Sequence, residues 1–313
     1  MFKLKSPSIK KPSKKQLISF GQAFITYVLL TCLAYIIIYP VFARLMYSFM
    51  TSADLNDDTV FLFTKNFTLE NWATAWQLMN YGISFLKTAF LVLSYTVLQT
   101  AAVTFIAYGL ARFRFPGRSL LFVISIITLI IPPQILSIPL YFQFQNLSIL
   151  GLNTGMNLLN TPIPNALLCI TGLGLKSGLL IFLMRQYFTS FPKELDEAAA
   201  IDGAGPFKTF FLVALPSART MLVTIFLFSL VWQWTDRFYV SVFEPTSKYL
   251  QMMVTQVYGM VKVATQASGN VDVVAQSLIN NSALLLFILP MVIVFLFGQR
   301  YFIEGVERSG IVG

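Results

Sequence analysis

The stretch SFPKELDEAAAIDGAGPFKTFFLVALP, residues 190–216, is the one long polar, helix-forming segment in the C-terminal half of an otherwise apolar chain. Pro192 can begin a helix, because proline loses no hydrogen bond in a first turn. Glu194, Asp196 and Glu197 then fall at the helix end whose dipole favours negative charge. We call residues 190–216 the docking segment. Its first helix is too short to span a bilayer.

A second short helix is predicted directly after the first. Gly203 and Gly205 end the first helix, and Pro206 is placed to begin the next one, which Leu215-Pro216 ends. Apolar side chains in the second helix recur at helical spacing and predict one apolar face. Two short helices joined at a glycine elbow indicate a surface that docks on another protein. The predicted face consists of Phe207, Phe210, Phe211 and Ala214.

The composition is that of a membrane protein. Of 313 residues, 56% are hydrophobic and only 11% are charged, whereas about a quarter of residues are charged in soluble domains. The net charge of +9 does not indicate nucleic-acid binding, because six lysines lie in the first fifteen residues and the other basic residues flank apolar runs. Charge placed in this way orients a membrane protein and allows contact with anionic lipid. The chain has no histidine, the commonest general base and zinc ligand.

The apolar runs predict an all-α integral membrane protein with six transmembrane helices. Each run is long enough to cross a hydrocarbon core of about 30 Å. The third run meets Pro132, Pro133 and Pro139, so it should kink or end there. The runs are Phe24–Ala43, Thr88–Ala111, one starting near Ser119, Pro164–Met184, one from Pro216 to about Thr235, and Asn281–Gly298.

The positive-inside rule orients these spans. Residues 1–22 form a basic cytoplasmic tail, and residues 23–313 form the transmembrane domain. Both termini, the basic loop 112–118 and the docking segment are then cytoplasmic. The loops on the outside are 50–83, 145–163 and 244–272.

The chain lacks a phosphate-binding loop. The nearest string, GLGLKSG at residues 172–178, has no Gly-Lys dipeptide and lies in an apolar run rather than after a strand. Its glycines favour close helix packing, and Lys176 either snorkels to the interface or faces a wet cavity. Any ATP hydrolysis must therefore take place in a partner subunit.

The docking segment resembles the EAA loop of permease subunits of bacterial ABC importers. Other stretches resemble the MalG-like branch, the second permease of carbohydrate importers, so that the resemblance covers nearly all of the chain after about residue 24. These stretches are FTLENWATAW (67–76), ARFRFPGR (111–118), IPPQILSIPLYF (131–142), LGLNT (150–154), FLMRQYFTSFPKELDEAA (182–199) and QRYFIEG (299–305). The residues that match the EAA loop are Glu197, Ala198, Ala199, Asp202, Gly203, Ala204, Phe210, Leu215 and Pro216.

The resemblance implies a type I ABC importer (MetI-like) fold and a non-catalytic permease subunit in the bacterial plasma membrane. The implied partners are a second, MalF-like permease, a dimeric ABC ATPase that binds ATP and Mg, and an extracytoplasmic solute-binding protein. The EAA residues, together with Phe207, are the expected ATPase contacts. Glu197 is expected to form a charge pair with the ATPase, and Gly203 supplies the elbow.

The sequence indicates the residues of the substrate path less clearly. Neutral hydrogen-bonding groups and aromatic faces suit a sugar ring, although the two tryptophans equally fit an interfacial aromatic belt. An importer of a glycerol-phosphate ester or a polyamine has the same fold. An ion-coupled secondary transporter would need carboxylates at mid-membrane, and only Asp236 lies at the edge of a span. The candidate path residues are Gln134, Tyr141, Gln143, Asn165, Trp232 and Trp234.

Overall fold

The computed structural model describes residues 14–149, 152–267 and 273–310. The predicted cytoplasmic tail lies largely outside these residues. Most of the described chain is helical, and one two-residue antiparallel pair, β1 (Ser148–Ile149) with β2 (Leu152–Asn153), closes the loop before α7. The helices are α1 (Lys14–Tyr47), α2 (Ser52–Leu55), α3 (Glu70–Leu78), α4 (Tyr81–Arg112), α5 (Arg118–Ile130), α6 (Pro133–Gln145), α7 (Ile163–Ile170), α8 (Ser177–Ser190), α9 (Lys193–Ile201), α10 (Pro206–Thr209), a π-helical turn (Phe210–Ala214), α11 (Leu215–Ser217), α12 (Arg219–Thr235), α13 (Phe238–Phe243), α14 (Leu250–Ala267) and α15 (Val273–Gly310).

Three continuous helices in the described residues are long and apolar enough to cross a membrane: Phe20–Tyr47, Tyr81–Arg112 and Val273–Tyr301. Two bent pairs raise the number to five if each pair is one span. The α5–α6 pair bends by 106°, and the pair formed by Pro206–Ser217 and α12 bends by 79°. The predicted count of six spans is therefore not confirmed by helix length alone.

The third predicted span kinks at Pro132 and Pro133 as expected, whereas Pro139 lies inside α6 and does not end it. Helix α5 ends at Ile130, and α6 begins at Pro133. Two successive prolines remove two backbone donors, and the residue before each proline is driven out of the helical region. Pro132 accordingly has extended backbone angles, φ −60° and ψ 133°.

The prediction of one continuous helix over 164–184 is wrong. Helix α7 ends at Ile170, and α8 begins only at Ser177. Between them Gly172 has φ +73° and Lys176 has φ +55°, values in the left-handed region that no α-helix contains. A Cβ at position 172 would lie 2.6 Å from Ile106 Cδ1, the tip of a side chain that can shift, so this turn favours glycine chiefly for its conformation.

The centre of the bundle is formed by α4, which packs against α8 and α12. Small residues allow the closest approaches, as is usual where helices associate inside a membrane. A Cβ at Gly178 would lie 2.1 Å from the carbonyl oxygen of Ser125, so the backbones of α8 and α5 are in direct contact. The central cluster includes Val103, Ile181 and Ile225.

Helix α1 lies apart from this bundle. In the most apolar 18-residue stretch of α1, no residue is buried within the chain. It is attached near its C-terminal end, where Arg44 Nη1 donates to Asn281 Oδ1 on α15 at 2.7 Å. The rest of its apolar surface faces lipid or another protein.

Candidate functional site

The docking segment forms the two predicted helices, α9 and α10, with Pro192 before the first and Pro206 opening the second. The elbow between them is a Schellman motif. The amide of Ala204 donates to Ala199 O at 2.9 Å, and that of Gly203 donates to Ala200 O at 3.1 Å. Gly203 has φ +76°, the left-handed conformation that closes this motif and that glycine adopts without strain.

The prediction of a single apolar face on the second helix is wrong in part. Phe210 is 3% exposed and Ala214 is buried, whereas Phe207 is 76% exposed and Phe211 is also exposed. The π-helical turn over 210–214 adds one residue to a helical turn and so shifts the positions that follow it. The element ends at Ser217, one residue after Leu215-Pro216, and the chain then bends by 79°.

Aromatic packing fixes the middle of the docking segment to the bundle. The Phe210 ring lies 4.7 Å from the Phe105 ring and 4.9 Å from the Tyr108 ring, measured between centroids. Beyond it, Tyr187 Oη donates to Ser217 O at 2.7 Å. Phe210 therefore anchors the segment within its own chain and is not available to a partner.

Arg112, at the end of α4, holds the start of the segment. Its side chain is buried, its Nη2 donates to Phe191 O at 2.8 Å, and its guanidinium carbon lies 5.3 Å from the Phe191 ring centroid. Its Nε lies 3.2 Å from Asp196 Oδ2. This bridge joins the loop 112–118 to α9 and is not among the contacts predicted from the sequence. The sequence does place both residues suggestively, since Arg112 ends an apolar run and Asp196 lies in the first turn of α9.

Between these anchors the elbow projects freely. Ile201 is 87% exposed, and Glu197, Ala198 and Asp202 are also exposed. Ala199, in contrast, is buried against its own chain. Two large apolar side chains at a polar elbow, Ile201 and Phe207, are the kind of exposed patch that marks a protein interface. Ile201 was not among the predicted contacts, because it lies between the residues that match the EAA motif.

The candidate path residues lie in different environments. Gln134, Tyr141 and Gln143 are exposed on α6, and Asn165 is buried in α7. Trp234 is 2% exposed, donates from Nε1 to Phe287 O at 3.0 Å and stacks on Phe287. Trp234 is thus a core residue in this structure. Trp232 is half-buried on α12.

Lys176 joins Trp232 on the surface of the bundle. Its Nζ lies 4.5 Å from the Trp232 ring centroid, within range of a cation–π interaction. Lys176 also lines a cavity of about 240 Å³ between the α5–α6 bend and residues 173–177. Lys176 was expected either to snorkel to the membrane interface or to face a wet cavity. The structure favours a position beside a cavity.

A buried polar network holds the Lys176 turn in place. Gln99 Nε2 donates to Leu175 O and to Ser177 Oγ, both at 2.8 Å. Gln99 Oε1 accepts from Ser229 Oγ at 2.6 Å and from Gln233 Nε2 at 3.1 Å. The network links α4, α8 and α12 at the break between α7 and α8. The sequence signal was a set of amide and hydroxyl side chains inside apolar runs.

The described residues contain no group of three or more His, Cys, Asp and Glu side chains arranged to hold a metal ion. Two ion pairs lie within them, Arg112–Asp196 and Lys65–Asp57.

Comparison with known proteins identifies the architecture. The chain is 30% identical over 287 residues to the diacetylchitobiose uptake system permease protein NgcG of Streptomyces coelicolor, covering 92% of this chain and 88% of the relative. It is 28% identical over 229 residues to the sn-glycerol-3-phosphate transport system permease protein UgpE of Yersinia pestis, covering 73% and 74%.

A solved structure shares the fold. The crystal structure of a bacterial ABC transporter involved in the import of the acidic polysaccharide alginate aligns with a TM-score of 0.73 at 22% identity, covering 94% of this chain and 99% of that chain. The family model described as "binding-protein-dependent transport system inner membrane component" matches residues 103–308. The chain is a multi-pass membrane protein with the ABC importer permease fold, and it belongs to the family of inner membrane components of binding-protein-dependent transport systems.

Proposed function

We propose that this chain is one of two membrane-spanning permease subunits of an ATP-driven importer for a sugar or oligosaccharide. It forms half of the translocation path and is itself non-catalytic. A dimeric ABC ATPase binds ATP and Mg, a solute-binding protein delivers the solute from outside, and a second, MalF-like permease completes the path. The named sugar substrates of the relatives, diacetylchitobiose and alginate, support this substrate class.

The exposed elbow of the docking segment carries the proposal. A loop fixed to the bundle through Arg112 and Phe210, with Ile201 and Phe207 exposed between these anchors, transmits a push from a partner into α4 and α8. Glu197, exposed on the same helix, pairs with a basic residue of the ATPase. ATP-driven movement of the ATPase then moves the docking segment and changes the side of the membrane to which the path opens.

The orientation follows from the same proposal. The elbow, the tail 1–22 and both termini are cytoplasmic, and residues 23–313 form the permease domain. The chain crosses the membrane six times, and the broken pair α7 and α8 provides the fourth crossing. Helix α1, with its apolar surface left uncovered by its own chain, packs on the second permease.

Site-specific cross-linking tests the proposal. Ile201→Cys and Phe61→Cys introduce thiols at side chains of equal exposure, 87% each, one at the elbow and one in the loop 50–83. In membranes that contain the whole transporter, Ile201→Cys should cross-link to the ATPase and Phe61→Cys should not. A cross-link from both positions or from neither contradicts the proposal. ATP dependence of uptake in vesicles excludes the ion-coupled alternative.

An anionic solute such as a glycerol-phosphate ester is the second candidate, and Lys176 is the observation that favours it. An ammonium beside the half-buried Trp232 suits a substrate that carries a negative charge as well as an apolar face. Competition between glycerol phosphate and neutral oligosaccharides for the cognate binding protein separates the two candidates. Lys176→Met should reduce uptake of the anionic ester and leave that of a neutral sugar unchanged.

A further inference from the structure

A basic cleft lies where α4, α5 and α8 meet, at the end of the bundle nearest the docking segment. Its volume is about 420 Å³. Arg114, Arg118 and Arg185 line it together with the first residues of α5, Ser119 and Leu120. The mechanism proposed above makes no use of this cleft.

No carboxylate of the described residues lines this cleft. Arg114 and Arg118 also line the adjoining cleft, which contains Asp196 and Glu197, and Asp196 there contacts Arg112. Arg185 is held in position by its Nε bond to Leu110 O at 3.4 Å and by the Phe122 ring, 4.0 Å from its guanidinium carbon. Arg118 is close enough for its charge to repel that of Arg185. An anion in the cleft would relieve this repulsion.

The N-terminus of α5 adds to the positive potential. The helix begins at Arg118, and the preceding Gly117 has φ +85° and provides no side-chain cap. The Arg118 amide donates to Phe115 O at 3.4 Å, and the following amides of the first turn, with the positive end of the helix dipole, attract anions. The arginine side chains and the helix end therefore attract the same ligand, one that carries a phosphate or a comparable anionic group.

The surroundings of the cleft identify the source of that phosphate. None of the side chains of α5 is buried in this chain, and Leu120, Leu121 and Val123 form an exposed apolar surface beside the cleft. Since α4 ends at Arg112 and α5 begins at Arg118, the cleft lies at the membrane boundary. We propose that it binds the headgroup of an anionic phospholipid, whose acyl chains lie along α5.

Lipid titration of the purified, delipidated transporter tests this proposal, with native mass spectrometry to count bound lipids. The wild-type protein should bind phosphatidylglycerol at least tenfold more tightly than phosphatidylcholine. Each arginine contributes roughly fivefold, so the triple variant R114Q/R118Q/R185Q should lose nearly all of this preference. The control K87Q/R237Q/K248Q removes the same charge from exposed side chains elsewhere and should keep it.

A second variant avoids any effect on folding. Arg114 is exposed and has no hydrogen-bond or ion-pair partner in the described residues, so R114Q alone should weaken phosphatidylglycerol binding roughly fivefold. Equal binding of the two lipids, or equal losses in the control, overturns the proposal. If inorganic phosphate displaces the lipid, the cleft binds a free anion. If the variants lose the ATPase and not the lipid, the cleft contacts a protein. Either result also overturns the proposal.

Discussion

Replacing Gly203 by valine tests the elbow directly. A Cβ at this position meets open space, so the whole cost comes from the backbone, which must keep φ +76°. A non-glycine residue in this conformation costs roughly 1–2 kcal/mol, and a β-branched one lies at the upper end. A cost of about 2 kcal/mol lowers the population of the Schellman elbow roughly 30-fold.

Gly205 provides the matched control. It also has open space around its Cβ position, but its φ is −70° and its ψ is 169°. This extended conformation is the one that any residue before a proline prefers, and Pro206 follows. Gly205→Val therefore loses the same glycine flexibility in the unfolded chain without strain in the folded one.

The measurement is solute uptake per ATP hydrolysed, in proteoliposomes that contain the complete transporter. Gly203→Val should assemble and hydrolyse ATP but transport at least tenfold less solute per ATP, whereas Gly205→Val should stay within about twofold of wild type. If the two variants transport equally well, the elbow geometry has no part in coupling and the reasoning is refuted.

Three further predictions concern stability. Arg112→Gln should loosen α9 by about 1–3 kcal/mol, since it removes the contact with Asp196 and a buried hydrogen bond; amide exchange over 191–201 measures this. Gln99→Leu should destabilise the bundle by about 2–4 kcal/mol in thermal unfolding, because it leaves several buried polar groups unpaired. The hydrogen bond from the Thr64 hydroxyl, the largest of several, lowers the pKa of Asp54 below its ordinary value of 3.8. The stabilisation from Asp54 is therefore complete above that value and is lost as pH falls through the lowered pKa, and Asp54→Asn should abolish this acid dependence of the unfolding temperature.

Each stability prediction has a control and a contrary outcome. Arg237→Gln removes an exposed arginine charge outside the cleft that α9 lines and should leave exchange in α9 unchanged. Ser94→Ala removes an exposed hydroxyl from α4 and should change the unfolding temperature little. Asp58→Asn alters an exposed neighbour of Asp54 and should preserve the acid transition. If a variant gives the same measured value as its control, the contact that it removes does not stabilise the protein as predicted.

Features with a local cause could be predicted from the sequence. The bend at Pro132-Pro133, the start of a helix after Pro192 and its end at Gly203 each follow from the backbone limits of proline or glycine. The membrane class followed from composition, and the family from the spacing of the EAA motif.

Features that depend on distant partners could not be predicted. The break at 171–176 is stabilised by Gln99, more than 70 residues earlier, so no local pattern distinguishes it from a continuous span. The burial of Phe210, in contrast to the exposure of Phe207, depends on packing against α4. The Arg112–Asp196 contact likewise could not be predicted, because hydrophobic periodicity says nothing about which distant residues pair.

The contact between Gly178 and Ser125 has a mechanical consequence. Where two backbones touch without intervening side chains, no side chain can rearrange to absorb a displacement, so α8 and α5 move together. Helix α8 is a rod of about 21 Å whose lower end continues into α9 and whose upper end carries Lys176. A tilt of about 10° at α9 displaces that upper end by nearly 4 Å. Because α5 moves with α8, such a tilt shifts the cavity wall formed by α5 and residues 173–177 relative to α6.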